Sequence, residues 1–403
     1  MAGASSIARE RRRWRWAALL TVLACTPAAG WRSRPGSAEL RSTHYSDNSG
    51  LSVLTLGGAV EQPISEELTA TLRGVADRVV VDRTVVEVPP AIVANQATGH
   101  VDELSADIVT SASSVLTGGP GSEKWRLEAV PGVRWNGAVS GAPTSVGASF
   151  RVSSEPDYGS ILGLLQASTS LFEENTTVSA FAGYGTDEVD PAQAPPGQAD
   201  RYPATHRRLL GGTSLSQLLS PGWIASLGAS LTHQQGTLSN PYRRATVRTS
   251  LFPELLPSSR TRATVFVASA WHLGWSAAAH ARLGGYLDSW GVHSLIPQLA
   301  LSKVWAERLL LEVEYRYYRQ SKAEFYQPVY AGLELLLAGD MRLGRITEHA
   351  AAVELECQLS GRRDSFGSLR AVGRVELTRL RYEQLPSEAI FGKVFQLGLL
   401  GAY

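Results

Sequence analysis

The segment VELECQLS, Val353 to Ser360, decides the fold. Val353, Leu355, Cys357 and Leu359 alternate with Glu354, Glu356, Gln358 and Ser360, and a period of two sends successive side chains to opposite faces of a β-strand. Working outward, Leu311, Val313, Tyr315 and Tyr317 oppose Glu312, Glu314, Arg316 and Tyr318, and Ala371, Gly373, Val375 and Leu377 oppose Arg370, Arg374, Glu376 and Thr378. Earlier in the chain, Trp223, Ala225, Leu227, Ala229 and Leu231 face away from Ser226, Gly228, Ser230 and Thr232. Val146, Ala148, Phe150 and Val152 likewise face away from Ser145, Ser149 and Arg151.

Alternation also occurs in soluble sandwiches, so the medium on the apolar side needs further evidence. The strand candidates run about 10 to 14 residues, longer than soluble strands and suited to a tilted bilayer crossing. Trp271, Trp275, Trp290, Trp305, Tyr315 and Tyr317 gather near strand ends, where an interfacial girdle belongs. The sequence closes on another alternating strand, with Phe395, Leu397, Leu399, Gly401 and Tyr403 on one face. That pattern looks like the signal read by outer-membrane barrel-insertion machinery. After Cys25 no apolar run reaches 18 residues, which excludes a transmembrane helix there. The expected fold is all-β: one transmembrane antiparallel barrel of about 16 strands, within a range of about 14 to 18, with both termini periplasmic.

The 403 residues carry 38 basic and 37 acidic side chains, with 19% charged residues and 38 glycines. A net charge of +1 supplies no general attraction for nucleic acid. The two cysteines cannot staple a chain of this length, and the eight histidines show no metal-ligand spacing. No metal or other cofactor is expected. Gly118, Gly119 and Gly121 lack the lysine of a phosphate loop. Arg9, Arg11, Arg12, Arg13 and Arg15 precede an apolar stretch from Trp16 to Cys25 and small residues up to Gly30, the order of a secretory signal peptide. Residues 1–30 are therefore read as that signal, with Cys25 a candidate for lipidation, 31–37 as a linker and 38–403 as the barrel. Long outer loops are expected near 81–124, 187–203, 236–260 and 320–345. The short turns belong near Pro63, at Glu173 to Asn175, at Ser220 to Gly222 and at Trp305 to Glu307.

The stretches THYSDNSGLSV, GTLSNPYRR, PELLPSSRTR, GGYLDSWGVHS and YRYYRQSKAEFY occur in the order of one bacterial family. The chain resembles the domain-of-unknown-function family numbered 3570 over roughly Glu39 to Tyr403. The resemblance implies an outer-membrane β-barrel and assigns no activity. Gly284, Gly285, Tyr286 and Leu287 depart from the arginine- and tyrosine-rich approach to DSWG found in that family.

On the inferred inner faces stand Glu312, Glu314, Arg316, Tyr318, Glu354, Glu356, Arg370, Arg374 and Glu376. Charges of both signs on one wall set up a transverse field that sorts small polar solutes. A hairpin turn near Asp364 is expected to place Glu356 opposite Arg374. Tyr318, Arg319, Phe325 and Tyr326 are candidates for a ligand platform at the mouth. His44 and Ser46, two apart on a strand, look like the His-x-Ser element of barrel-borne lipid acyl hydrolases, with histidine as base and serine as nucleophile. Asp102, Glu103 and Asp107 are weak calcium candidates in a loop. The leading function is passive passage or binding of a small solute. A plugged barrel with a structural or export role is the alternative, and the hydrolase comes third. Outer-membrane lipid, a small polar solute and the insertion machinery are the expected partners.

Overall fold

The computed structural model describes residues 35–81, 122–191, 197, 199–362, 365–382 and 389–403. The expected signal peptide, Cys25, the calcium candidates, the three glycines and the centre of the first long loop lie outside these residues. Eighteen strands follow one another: β1 (Ser37–Asp47), β2 (Leu51–Pro63), β3 (Leu68–Val81), β4 (Ser122–Val139), β5 (Ala142–Ser154), β6 (Tyr158–Leu171), β7 (Thr176–Val189), β8 (Ala204–Ser220), β9 (Trp223–Gly236), β10 (Arg244–Val247), β11 (Ser250–Pro253), β12 (Ser259–Gly274), β13 (Ala277–Asp288), β14 (His293–Trp305), β15 (Leu309–Gln320), β16 (Ile346–Ser360), β17 (Leu369–Tyr382) and β18 (Ile390–Ala402). All but β10 and β11, a separate hairpin, join in sequence order into one closed antiparallel barrel. β1 pairs with β18, from Ser37 against Ala402 to Asp47 against Gly392, which closes the ring. Sixteen is an even number, so β1 begins and β18 ends at the same rim, the terminal end; the long connections leave the strands at the other rim, the loop end.

The pleat fixes what each face meets. Leu397 is 70% exposed, Leu165 63% and Leu301 60%, and each belongs to the outward row of its strand. Such a belt is stable only against hydrocarbon, and closure of the ladder pairs the strands' backbone donors and acceptors with one another all the way round. Trp223, Trp275, Trp305 and Tyr403 mark the terminal end of the belt; Trp125, Tyr184, Tyr315 and Phe391 mark the loop end. Trp290 departs from the expected girdle. It follows the turn residue Asp288 rather than ending a strand row, and it is buried beside Phe325, with the Arg260 guanidinium 4.1 Å above its ring.

Inward-facing side chains change character along the barrel axis. On β8, Ala204, His206, Arg208 and Leu210 are buried, whereas Gly212, Ser214 and Ser216 are partly open. On β16, Ile346, Glu348, Ala350 and Ala352 are buried and Glu354, Glu356 and Gln358 are partly open. The loop-end half of the lumen is thus packed, and the terminal-end half is a wetter vestibule.

Candidate functional site: a charged lumen beneath a loop cap

Every charged residue expected on the inner wall points there. β15, β16 and β17 carry six carboxylates inward, Glu312, Glu314, Glu348, Glu354, Glu356 and Glu376, against three cations, Arg316, Arg370 and Arg374. Arg316 bridges Glu348 at 2.8 Å and Glu376 at 3.4 Å. Arg374 reaches Glu376 at 2.8 Å and Glu314 at 3.4 Å. The expected partnership of Glu356 with Arg374 does not form. The hairpin is centred one residue earlier than that pairing needs, so Glu354 stands opposite Arg374 and Glu356 opposite Val372. Glu356 takes Arg370 instead, at 3.2 Å. Glu312 lies directly across from Glu354, a like-charge juxtaposition that costs stability in a sheet.

Beyond β18, β1 and β2 lies a wall of the opposite sign. β3, β4 and β5 direct Arg73, Lys124, Arg126, Arg134 and Arg151 inward against Asp77 and Glu128. Arg126 meets Asp77 at 2.6 Å and Arg151 meets Glu128 at 2.8 Å. Three strands with a surplus of carboxylates and three with a surplus of cations therefore share one lumen. In its terminal-end half, the arc between them from β5 to β9 is lined by hydroxyls, with Ser179 donating to Ser168 at 3.0 Å and Ser216 and Ser226 2.8 Å apart.

The loop end is closed over by residues 237–258 and 321–345. Leu238, Trp290, Val292, Tyr326, Ala338 and Leu343 form one core there, and Met341 packs against a second, lumenal core that includes Tyr45, Val53, Leu380 and Val394. Two buried carboxylates tie the segments together. Glu254 accepts from the Asn240 amide at 2.9 Å and the Gly339 amide at 3.1 Å. Asp340 meets Arg243 at 2.5 Å and Arg342 at 2.7 Å. Burial raises the Glu254 pKa above the ordinary carboxylate value, against the pull of Arg243. Burial also acts to raise Asp340, but Arg243 and Arg342 outweigh it and hold that carboxyl well below the usual range.

The motif stretches, scattered over some 280 positions, come together at this rim. Asp47 of THYSDNSGLSV accepts from the Ser49 and Leu51 amides. Asn240 of GTLSNPYRR caps Tyr242, and PELLPSSRTR supplies Glu254, Arg260 and Arg262. Asp288 of the DSWG turn accepts from the Trp290 amide at 2.9 Å, the Val292 amide at 3.0 Å, the Tyr286 hydroxyl at 2.7 Å and Arg260 Nε at 2.8 Å. Gly291 adopts φ +82°, the left-handed geometry this turn requires.

The mouth platform is not assembled. Tyr318 points into the lumen, Arg319 points outward, and Phe325 and Tyr326 pack in the cap. His44 and Ser46 both face outward on β1, and His44 Nε2 lies 3.1 Å from Ser52 Oγ on β2 rather than bonding to Ser46. Among the described residues no carboxylate contacts His44; neighbouring Asp47 points inward and accepts from Tyr45. The buried set Asp187, His206 and Arg208, with His206 Nε2 2.7 Å from Asp187, has no counterpart in the sequence expectations. Its spacing on β8 alternates as any strand does, and only pairing with β7 reveals it.

A closed antiparallel barrel with an apolar belt outside and charge inside is a transmembrane β-barrel of the outer-membrane kind. Within that class the chain matches the family described as "Protein of unknown function (DUF3570)" over residues 36–402, and it belongs to that family. No curated protein matches the sequence. Among solved structures, a mutant of the ferric enterobactin receptor PfeA from Pseudomonas aeruginosa is similar at 12% identity and a TM-score of 0.45, over 87% of this chain and 54% of the receptor. The chain thus spans about half the length of that receptor. A bacterial polysaccharide outer membrane secretin is similar at 9% identity and a TM-score of 0.45, over 91% of this chain and 98% of the other. The outer membrane protein opdK from Pseudomonas aeruginosa is similar at 9% identity and a TM-score of 0.42, covering 93% and 100%.

Proposed function

We propose that the protein resides in the bacterial outer membrane, termini toward the periplasm, and binds or passes a small polar solute in its charged lumen. The observation that carries this reading is the pair of oppositely charged walls, carboxylate-rich on β15 to β17 and cation-rich on β3 to β5, separated by β18, β1 and β2 and reaching into the less packed terminal-end half of the lumen. Charges set across a low-dielectric passage order water and orient a dipolar solute far more strongly than the same charges on a free surface. A plugged barrel with a structural or export role is the second reading, favoured by burial of the loop-end half beneath the cap.

Single-channel recording of the purified chain in planar bilayers separates the two. Discrete conductance steps are expected, with selectivity moving toward anions in the double variant Glu312→Gln/Glu354→Gln. Silent membranes containing correctly folded barrel support the plug and remove passage.

A further inference from the structure

We infer that a recess in the lumen wall between β9 and β14 is a subsite for the carboxylate end of a small organic acid. This names a solute class for the lumen reading above and rests on it. The recess has a volume of about 220 Å³, equivalent to about seven waters at ~30 Å³ each, which admits a short-chain acid such as butyrate.

The strand register creates the hollow. Ala268 and Ala270 form its floor, with Ser226 and Arg282 facing each other across Ala268 and His280 across from Ala270. Gln298, paired with Arg282, closes the far side. The polar groups around this floor are an amide, a hydroxyl, an imidazole and a guanidinium, and among the described residues no carboxylate lines it. An ionised carboxylate only accepts hydrogen bonds, and a guanidinium presents paired donors that match its two oxygens.

Arg282 is placed for this task in advance. Its guanidinium stacks 3.9 Å from the centroid of Phe266, itself an inward residue of β12. The Phe266 ring in turn lies flat against Gly228 of β9, where a Cβ would come within 2.4 Å of a ring carbon. Glycine at 228 lets the ring lie down, and the ring gives the guanidinium a fixed bed, so less side-chain entropy is lost when an anion arrives. Repulsion from the carboxylate-rich wall is limited, because β14 directs no ionised side chain inward and Glu314 beyond it lies 3.4 Å from Arg374.

Isothermal titration of the detergent-solubilised full chain with sodium butyrate, and separately with uncharged butyramide, tests the assignment. Butyrate is expected to bind and butyramide not to, and Arg282→Gln is expected to weaken butyrate binding about tenfold or more, the range for losing a charge-assisted contact. Equal binding of the amide by the wild type, unchanged affinity in Arg282→Gln, or no butyrate binding at all overturns the subsite. The wild-type comparison needs no variant to fold. Channels that conduct but ignore butyrate retire the subsite alone, whereas butyrate binding by a silent barrel retires passage and leaves the subsite standing.

Discussion

Asp288 shows how much one carboxylate can hold at the rim. Its side chain is fully buried, and it accepts from two turn amides, a tyrosine hydroxyl and Arg260. Replacing it strands a buried guanidinium and reopens the turn, a loss of about 3–5 kcal/mol by analogy with other broken buried pairs. Asp288→Ala is therefore expected to lower sharply the temperature at which the folded barrel loses its compact electrophoretic mobility. Ser289→Ala, one residue on, removes only a hydroxyl that accepts from the Thr261 amide, so a variant there as damaging as Asp288→Ala would contradict the assignment. The placement of Glu312, Glu354 and Arg374 on the inner wall was legible in the sequence, because a strand has only two faces. Their partners were not, since a one-residue change in turn centre redirects each ion pair.

At the scale of the element, the cap is a fold of its own laid on the barrel. Arg243 and Asp340 are 97 positions apart and Asn240 and Glu254 14 apart, with no periodicity linking them, so long loops near 236–260 and 320–345 were readable and their union was not. Trp290 was misplaced for the same reason: an aromatic near a strand end says nothing about whether it turns to lipid or inward. The two clasping carboxylates respond oppositely to pH. Asp340, with its pKa lowered by folding, stabilises the cap above the ordinary aspartate value of about 3.9 and loses that contribution as pH falls toward its folded value. Glu254, with its pKa raised, contributes fully below the ordinary glutamate value of about 4.3 and loses that contribution as pH rises through its folded pKa. Exchange protection of the Asn240 and Gly339 amides, corrected for intrinsic rates, should therefore be greater just above pH ~4.3 than well above neutrality. Glu254→Gln should flatten the alkaline side, and protection that increases steadily with pH would show that Glu254 is not strained by ionisation.

For the whole molecule, alternation together with strand length and aromatic strand ends was enough to foresee a closed membrane barrel of about 16 strands, because long oily rows edged by aromatics suit lipid rather than a second protein layer. The seam is less visible from sequence. Gly36 and Tyr403 exchange backbone hydrogen bonds of 2.8 and 2.9 Å, and the Tyr403 hydroxyl donates to Gln62 at 3.2 Å. We propose that Tyr403 serves both this seam and recognition by insertion machinery. Tyr403→Ala should then reduce the folded fraction in cells more than it slows folding into pure lipid vesicles. An equal defect in both would assign the residue to the seam alone.

The seam has one further consequence. Because β1 pairs with β18 along its whole length, from Ser37 to Asp47, the barrel sheet leaves no open edge on which a visiting polypeptide can add as an extra strand. A protein companion of the barrel wall must instead grip side chains: the short bends at the opposite rim, or the greasy waist shared with neighbouring lipids.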